Sequence, residues 1–357
     1  MKKVEHLSGL TELRGILSLI VLFSHLDQFH YLFGIGKIGI EKAGMAGHAV
    51  TVLFVLSGFL ITHLLHKEKQ KSKKIDIKKF YWRRILRIWP VYFLVVLISF
   101  FFYFFKIDKT ETKSVFGSVV LYLTMLANFA YVWGMSFRAS TVLWSVGVEE
   151  QFYAIWPWIF NTRFDKIKSL ITIIVVYFII RIAAFVFFPT SGVYQIIKLT
   201  RIDCMAIGGL VALLVSKNHW IIKEILFHPI ALLISILGLF FPVFLSDTLF
   251  ANLEIEIYAI FSIIFILNIS MNKKSIIKLN SKILEFFGQM SYGVYCLHMI
   301  VFILLSPWLK GQPIYMIYIV VPLVVFIVSY LSYNYYEKAF LKRKKKFVVI
   351  ESRSKRD

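Results

Sequence analysis

Eleven apolar stretches of membrane-spanning length, or close to it, succeed one another along the chain. They fall at about 9–30, 46–66, 86–106, 116–133, 142–160, 168–188, 202–216, 228–246, 254–271, 290–309 and 315–336. A bilayer core of about 30 Å takes roughly 20 helical residues to cross. Backbone in lipid must also satisfy its own hydrogen bonds. The expected fold is therefore all-α, a polytopic transmembrane helix bundle. With 59% hydrophobic and only 17% charged residues, the 357-residue chain leaves no room for a second soluble domain.

The formal charge of +21 could suggest nucleic acid as a partner. The lysines and arginines, however, sit in short connectors between apolar stretches, which is the positive-inside pattern. No nucleic acid is expected; the bilayer is the partner. Connector 67–84 and the tail KRKKKFVVIESRSKRD are both strongly basic, which puts them on the cytoplasmic side. An even number of crossings must then separate them. Counting back from the tail, 306–314, 247–253 and 189–201 fall outside, while 272–282, 217–223 and 161–168 fall inside. That alternation leaves two crossings between 86 and 160, so 116–133, with Thr124 and Asn128 at its centre, is expected as an interfacial or re-entrant element. The reading is ten crossings with both termini cytoplasmic. It divides the chain into a transmembrane domain over 1–341 and a basic tail over 342–357. No cleavable signal is expected in the short polar start, and no extracytoplasmic domain. Cys204 and Cys296 lie in apolar segments without metal-ligand spacing and read as small core residues; no metal is expected.

Polar groups at membrane depth mark the candidate site. The stretch VLWSVGVEEQFYAIWPWI carries adjacent carboxylates, Glu149 and Glu150. A charged group at the bilayer centre costs roughly 3 kcal/mol on insertion scales, so it needs a partner or a task. Ser145, Glu149, Tyr153 and Trp156 share one helical face. The alternative is a packing salt bridge or a carboxylate held neutral. In the first span, Arg14 and His25 are eleven residues apart, within about 20° of one face and about 16 Å along the axis. Arg14 falls near the cytoplasmic surface and His25 in the outer half. Glu149 and Glu150 enter at a similar depth, so a histidine and a carboxylate are expected to meet there, an arrangement suited to a general base. Arg83, Arg84 and Arg87 crowd the cytoplasmic entry of the third span. Arg84 and Arg87 form an i, i+3 fork for phosphate oxygens or an anchor to anionic lipid. Ser57-Gly58 suits a close helix contact. Arg201 and Asp203 are expected to pair locally. His298 is a further candidate, or a structural histidine.

The ordered pieces LRGILSLIVLFSHL, LFVLSGFLIT, WRRILRIWPVYFL, WSVGVEEQFYAIWP, RIDCMAIGGLVA, GQMSYGVYCLHMIVF and NYYEKAFLK resemble the acyltransferase 3 family of integral membrane O-acyltransferases. The resemblance runs over about residues 9–341. It implies transfer of an acyl group, most often acetyl from acetyl-CoA, to a hydroxyl of a carbohydrate or other envelope molecule at a bacterial cytoplasmic membrane. The family's Arg-x10-His element falls on Arg14 and His25, its Arg-x-x-Arg on Arg84 and Arg87, its Ser-Gly on Ser57 and Gly58, and its glutamate on Glu149, with Glu150 beside it. Ala339 stands where many relatives have proline. Any hydrolase-like partner found fused in some members would be a separate chain. The resulting expectation makes His25, Glu149 and Glu150 catalytic, has Arg14, Arg84 and Arg87 hold the coenzyme A phosphates, and places Ser57, Tyr153 and His298 at the substrate. His25, oriented by a glutamate, would deprotonate the acceptor; the oxyanion donor is not identified. The rival reading is a transporter or flippase of an envelope glycan or lipid-linked precursor. No inverted repeat supports it.

Overall fold

The computed structural model describes residues 7–108, 110–217, 224–240 and 253–349, and among these it contains helices and no strand. In chain order the helices are α1 (Leu10–Gln28), α2 (Met45–Ser72), α3 (Ile77–Phe104), α4 (Val115–Leu123) and α5 (Ala127–Val132). They continue with α6 (Leu143–Asn161), α7 (Lys166–Phe187), α8 (Gly192–Thr200), α9 (Ile202–Ser216) and α10 (Pro229–Phe240). The series closes with α11 (Glu254–Ser270), α12 (Lys282–Leu309), α13 (Ile314–Leu331) and, beyond a π-turn at Ser332–Glu337, α14 (Lys338–Lys344). Among the described residues, six helical stretches are long and apolar enough to cross a membrane: Met45–Ser72, Ile77–Phe104, Lys166–Phe187, Gly192–Ser216, Lys282–Leu309 and Ile314–Phe347. The end of the expected 228–246 segment and residues 350–357 of the tail lie outside the described residues.

The basic connector between the second and third apolar stretches is mostly helix. α2 continues to Ser72 and α3 begins at Ile77, leaving only Lys73–Asp76 as a turn. Lys, Glu, Gln and Arg are strong helix formers, so the charged run extends both helices past their apolar lengths. Asp76 caps α3 by accepting from the Lys79 N–H, and that bond holds its carboxyl below the usual range. Glu68 closes the turn: it accepts from the Asp76 N–H at 2.9 Å and pairs with Arg83 at 3.0 Å.

The 116–133 stretch does not form one helix of crossing length. It breaks into the nine residues of α4 and the six of α5. Met125, at φ 60°, turns the chain between them. The break rests on α6: a Cβ on Gly147 would lie 2.9 Å from the Met125 carbonyl oxygen. Asn128, fully buried, accepts from Gln151 at 2.7 Å, so the polar centre of this stretch docks it onto α6.

Two close helix crossings organise the bundle, both built on glycine. In the first, α1 and α12 run parallel. A Cβ on Gly15 would be 2.9 Å from the Gly288 nitrogen, and one on Gly288 would overlap the Thr11 carbonyl. In the second, α2 and α9 run parallel. A Cβ on Gly58 would overlap the Met205 carbonyl, and one on Gly208 the Val55 carbonyl. The contact expected of Ser57-Gly58 is thus made by the glycine.

Away from these crossings, Arg181 of α7 is wholly buried between two carboxylates. It pairs with Asp203 at 2.9 Å and with Glu256 of α11. The expected local pairing of Arg201 with Asp203 gives way to this arrangement. Arg201 turns instead to the Gly47 carbonyl at 2.8 Å and to the Thr51 hydroxyl on α2. Its backbone, at φ 42°, forms the junction between α8 and α9. In a left-handed conformation the Arg201 side chain is aimed across the bundle rather than along α9.

Candidate active site

α1 carries Arg14 and His25 on one unbroken helix. The Gly15–Gly288 crossing brings α12 against it in a register that persists along both helices: ten residues beyond each glycine stand His25 and His298. Their ring nitrogens meet, His25 Nδ1 to His298 Nε2, at 2.8 Å, with ring centroids 5.0 Å apart. His298 is fully buried, and its Nδ1 lies 3.1 Å from the Val294 carbonyl oxygen. His25 is only partly buried, so one of the two rings is reachable.

The expected meeting of His25 with a glutamate is replaced by this histidine pair. Glu149 accepts from the Ser57 hydroxyl at 2.6 Å, and Tyr153 OH donates to Ser57 Oγ at 3.3 Å. Glu150 accepts from Trp89 Nε1 at 2.9 Å, while its Oε1 is buried without a hydrogen-bond partner among the described residues. The depth of these groups follows from the packing of α6 on α12. Ser145 meets Tyr295 at 2.6 Å, and Tyr295 lies one turn before His298. Glu149 is one turn beyond Ser145 on a helix running the other way, so it sits about two turns, roughly 10 Å, from the histidine pair. The sequence estimate put the two groups level because it had no means of fixing the relative height of two helices.

The arginines do gather. Arg14 lies in the combined field of Arg84, Arg87, Glu149 and Tyr153. The Arg84 guanidinium stacks over the Tyr153 ring, 5.5 Å from its centroid, and its Nε is buried without a partner among the described residues. Arg83 is separate from this group, tied to Glu68 and to the Phe347 carbonyl at 2.9 Å. That contact and the stacking of Trp82 on Phe347 fold the last helical residues along α3. Lys344 is thereby set near Arg14, Arg84 and Arg87.

The polar groups thus form a column. At one end stand Arg14, Arg84, Arg87 and Lys344; then come Glu149, Ser57 and Tyr153; and farther along is the His25–His298 pair. Electrostatically, the cation-rich end favours a multiply charged anion, and an imidazole at the far end can take and return a proton. Sequence reasoning missed Lys344, Trp89 and Asp27. Asp27, two residues past His25, accepts backbone bonds from Ile38, Gly39 and Glu41 at 2.6 to 3.2 Å and pins the following loop over the end of α1. A buried aspartate beside a glycine-rich loop is a signal that could have found it.

Residues 8–333 match the acyltransferase domain family. The chain belongs to the acyltransferase 3 family. With its six long apolar helices, it is a multi-pass membrane protein. Among curated proteins it resembles O-acetyltransferase OatA of Staphylococcus aureus strain NCTC 8325 / PS 47, at 27% identity over 377 residues. OatA of strain COL is similar to the same degree. Each alignment covers 96% of this chain but 58% of the relative, so the chain spans little more than half their length. No solved structure matches the chain.

Proposed function

We propose that this acyltransferase 3 chain is an O-acyltransferase that moves an acetyl group from acetyl-CoA to a hydroxyl of a cell-envelope carbohydrate. The observation that carries the reading is the column itself: a cation cluster around Arg14 and a partly exposed histidine eleven residues further along the same helix. The separation, about 16 Å, is of the order a pantetheine arm bridges. The relatives' name, O-acetyltransferase, favours acetyl as the group transferred.

In this reading Arg14, Arg84 and Arg87, with Lys344, hold the phosphates of the acyl-CoA, and the thioester reaches toward His25. His25 Nε2 takes the proton of the acceptor hydroxyl as its oxygen attacks the thioester carbonyl. The tetrahedral adduct collapses, the C–S bond breaks, and the imidazolium returns the proton to the departing thiolate. The products are the acetyl ester and free coenzyme A. Glu149, with Ser57 and Tyr153, balances the charge between the arginines and the thioester. Glu150 and Trp89 hold α6 against α3, and the acceptor approaches the open side of His25.

The topology that fits is ten crossings of a bacterial cytoplasmic membrane, with both termini cytoplasmic and α4–α5 on the outer side. It is supported by the way Gly9 packs against Leu279 while Arg83 reaches both Glu68 and Phe347. The basic connectors and the tail then share one end of the bundle. An envelope-biosynthesis protein would be the partner that passes the product on.

The test is reconstitution in liposomes with acetyl-CoA supplied on the 67–84 side, following free coenzyme A release by wild type and His25→Ala. Release by wild type alone is expected. Equal release by His25→Ala would remove the base from the mechanism. Absence of any acyl-CoA turnover, with glycan flux instead, would favour a transporter.

A further inference from the structure

We infer that His298 is a positioning residue that fixes the tautomer of His25, so that the reactive lone pair lies on His25 Nε2. The inference rests on the reading of His25 as the base.

Both nitrogens of His298 are committed. Nδ1 lies 3.1 Å from the Val294 carbonyl oxygen, and a carbonyl only accepts, so Nδ1 carries the hydrogen. A neutral imidazole has one N–H, which leaves Nε2 of His298 as an acceptor. The 2.8 Å contact is then a bond donated by His25 Nδ1–H. His25 has a single hydrogen too, so its Nε2 is bare. The chain of assignment begins at a helix backbone, which cannot change its role without breaking α12. The aromatic rings of Tyr295 and Phe302 pack around His298 at centroid distances of 6.3 and 5.4 Å and hold it in place.

Burial separates the two roles. His298 is 0% exposed and has no free nitrogen, so it cannot meet a substrate. His25 is partly exposed and has the free one. The substrate-contact role expected of His298 from the sequence is thus replaced by a supporting one. When His25 accepts a proton at Nε2, its Nδ1–H bond to His298 becomes charge-assisted and stronger. A neutral imidazole stabilises the resulting cation less than a carboxylate would, so His25 gives the proton back readily to a departing thiolate. The geometry comes from the glycine crossing, because Gly15–Gly288 and His25–His298 share one register.

The experiment compares His298→Gln, His298→Asn and His298→Leu in reconstituted protein. Coenzyme A release gives kcat and KM, and 15N spectra of labelled histidine report the His25 tautomer. Gln puts an acceptor where Nε2 stands; Asn reaches only the Nδ1 position. Leu offers neither. Expected is about a 100-fold loss of kcat in Asn and Leu, with KM for acetyl-CoA nearly unchanged and Gln within about tenfold of wild type. The spectra should show His25 protonated at Nδ1 in wild type. Equal activity of the Gln and Asn variants, wild-type activity of the Leu variant, or a His25 protonated at Nε2 would each overturn the assignment. His25→Ala separates the two ideas. If it is active, the functional reading itself fails; if it is inactive while His298→Leu turns over normally, only the pairing fails.

Discussion

Gly288→Ala adds one methyl group where α1 and α12 cross. Its Cβ would overlap the Thr11 carbonyl and lie 2.9 Å from Thr11 Cγ2. A backbone carbonyl inside a helix cannot swing aside, so the two helices must part. Restoring an ordinary contact of about 3.5 Å requires a separation of roughly an ångström or more. The His25–His298 bond, at 2.8 Å, has far less slack. It weakens beyond about 3.2 Å, a margin of about 0.4 Å. The substitution therefore breaks a contact about 15 Å away along the helices, with about 1–3 kcal/mol of overpacking cost and about a 100-fold loss of turnover. Gly15→Ala is the internal control. Its Cβ would meet the Gly288 nitrogen at 2.9 Å and the Leu284 oxygen at 3.0 Å, a milder overlap relieved by about half an ångström, so about a tenfold loss is expected. The assay is coenzyme A release from vesicles matched for protein by immunoblot, with thermal aggregation measured alongside. Full turnover in Gly288→Ala, or Gly15→Ala proving the more damaging of the two, would refute the argument that backbone proximity sets the histidine pair.

Further predictions concern groups outside that crossing. Arg181→Met leaves Asp203 and Glu256 buried without their cation and should cost about 3–5 kcal/mol, seen as lost membrane yield and a lowered aggregation temperature. Joint replacement with Asp203→Leu and Glu256→Leu should recover most of it; failure of the triple variant to do so would count against the network. Ser57→Ala removes a hydrogen-bond donor from Glu149 and should lower kcat by about tenfold with normal yield, whereas Ser57→Thr keeps the hydroxyl and most of the activity.

The helical character of the chain and, Lys344 apart, the residues of the polar column were legible in the sequence, because apolar length and intramembrane charge are local properties of it. The break at Met125 was legible in outline from the polar residues beside it, though the role of Gly147 in receiving the break was not. The extension of α2 and α3 through the basic connector was missed because charge was read as a sign of loop, whereas Lys and Arg are good helix formers. What could not be read was register. His25 and His298 are 273 positions apart, and nothing near either one announces the other. Their meeting depends on a crossing ten residues away. In the same way Asp203, two positions from Arg201, takes its partner from another helix, because the backbone turn at Arg201 points the nearer arginine elsewhere.

The buried Arg181 also constrains how the chain is assembled. α7 is made before either of its counter-ions, and Glu256 follows 75 positions later (256 minus 181). At about 5–20 residues per second, that interval lasts roughly 4–15 s. Until Asp203 arrives, 22 positions on (203 minus 181), the arginine has only lipid, snorkelling and water defects to accommodate it, at about 2.5–3.5 kcal/mol; from then until Glu256 it holds one of its two carboxylates. The isoleucine- and valine-rich remainder of α7 is what keeps it in the bilayer meanwhile. The arrival of α11 then does more than add a helix: it brings Arg181 its second carboxylate and ties the α7–α9 junction to a later helix before α12 to α14 are made.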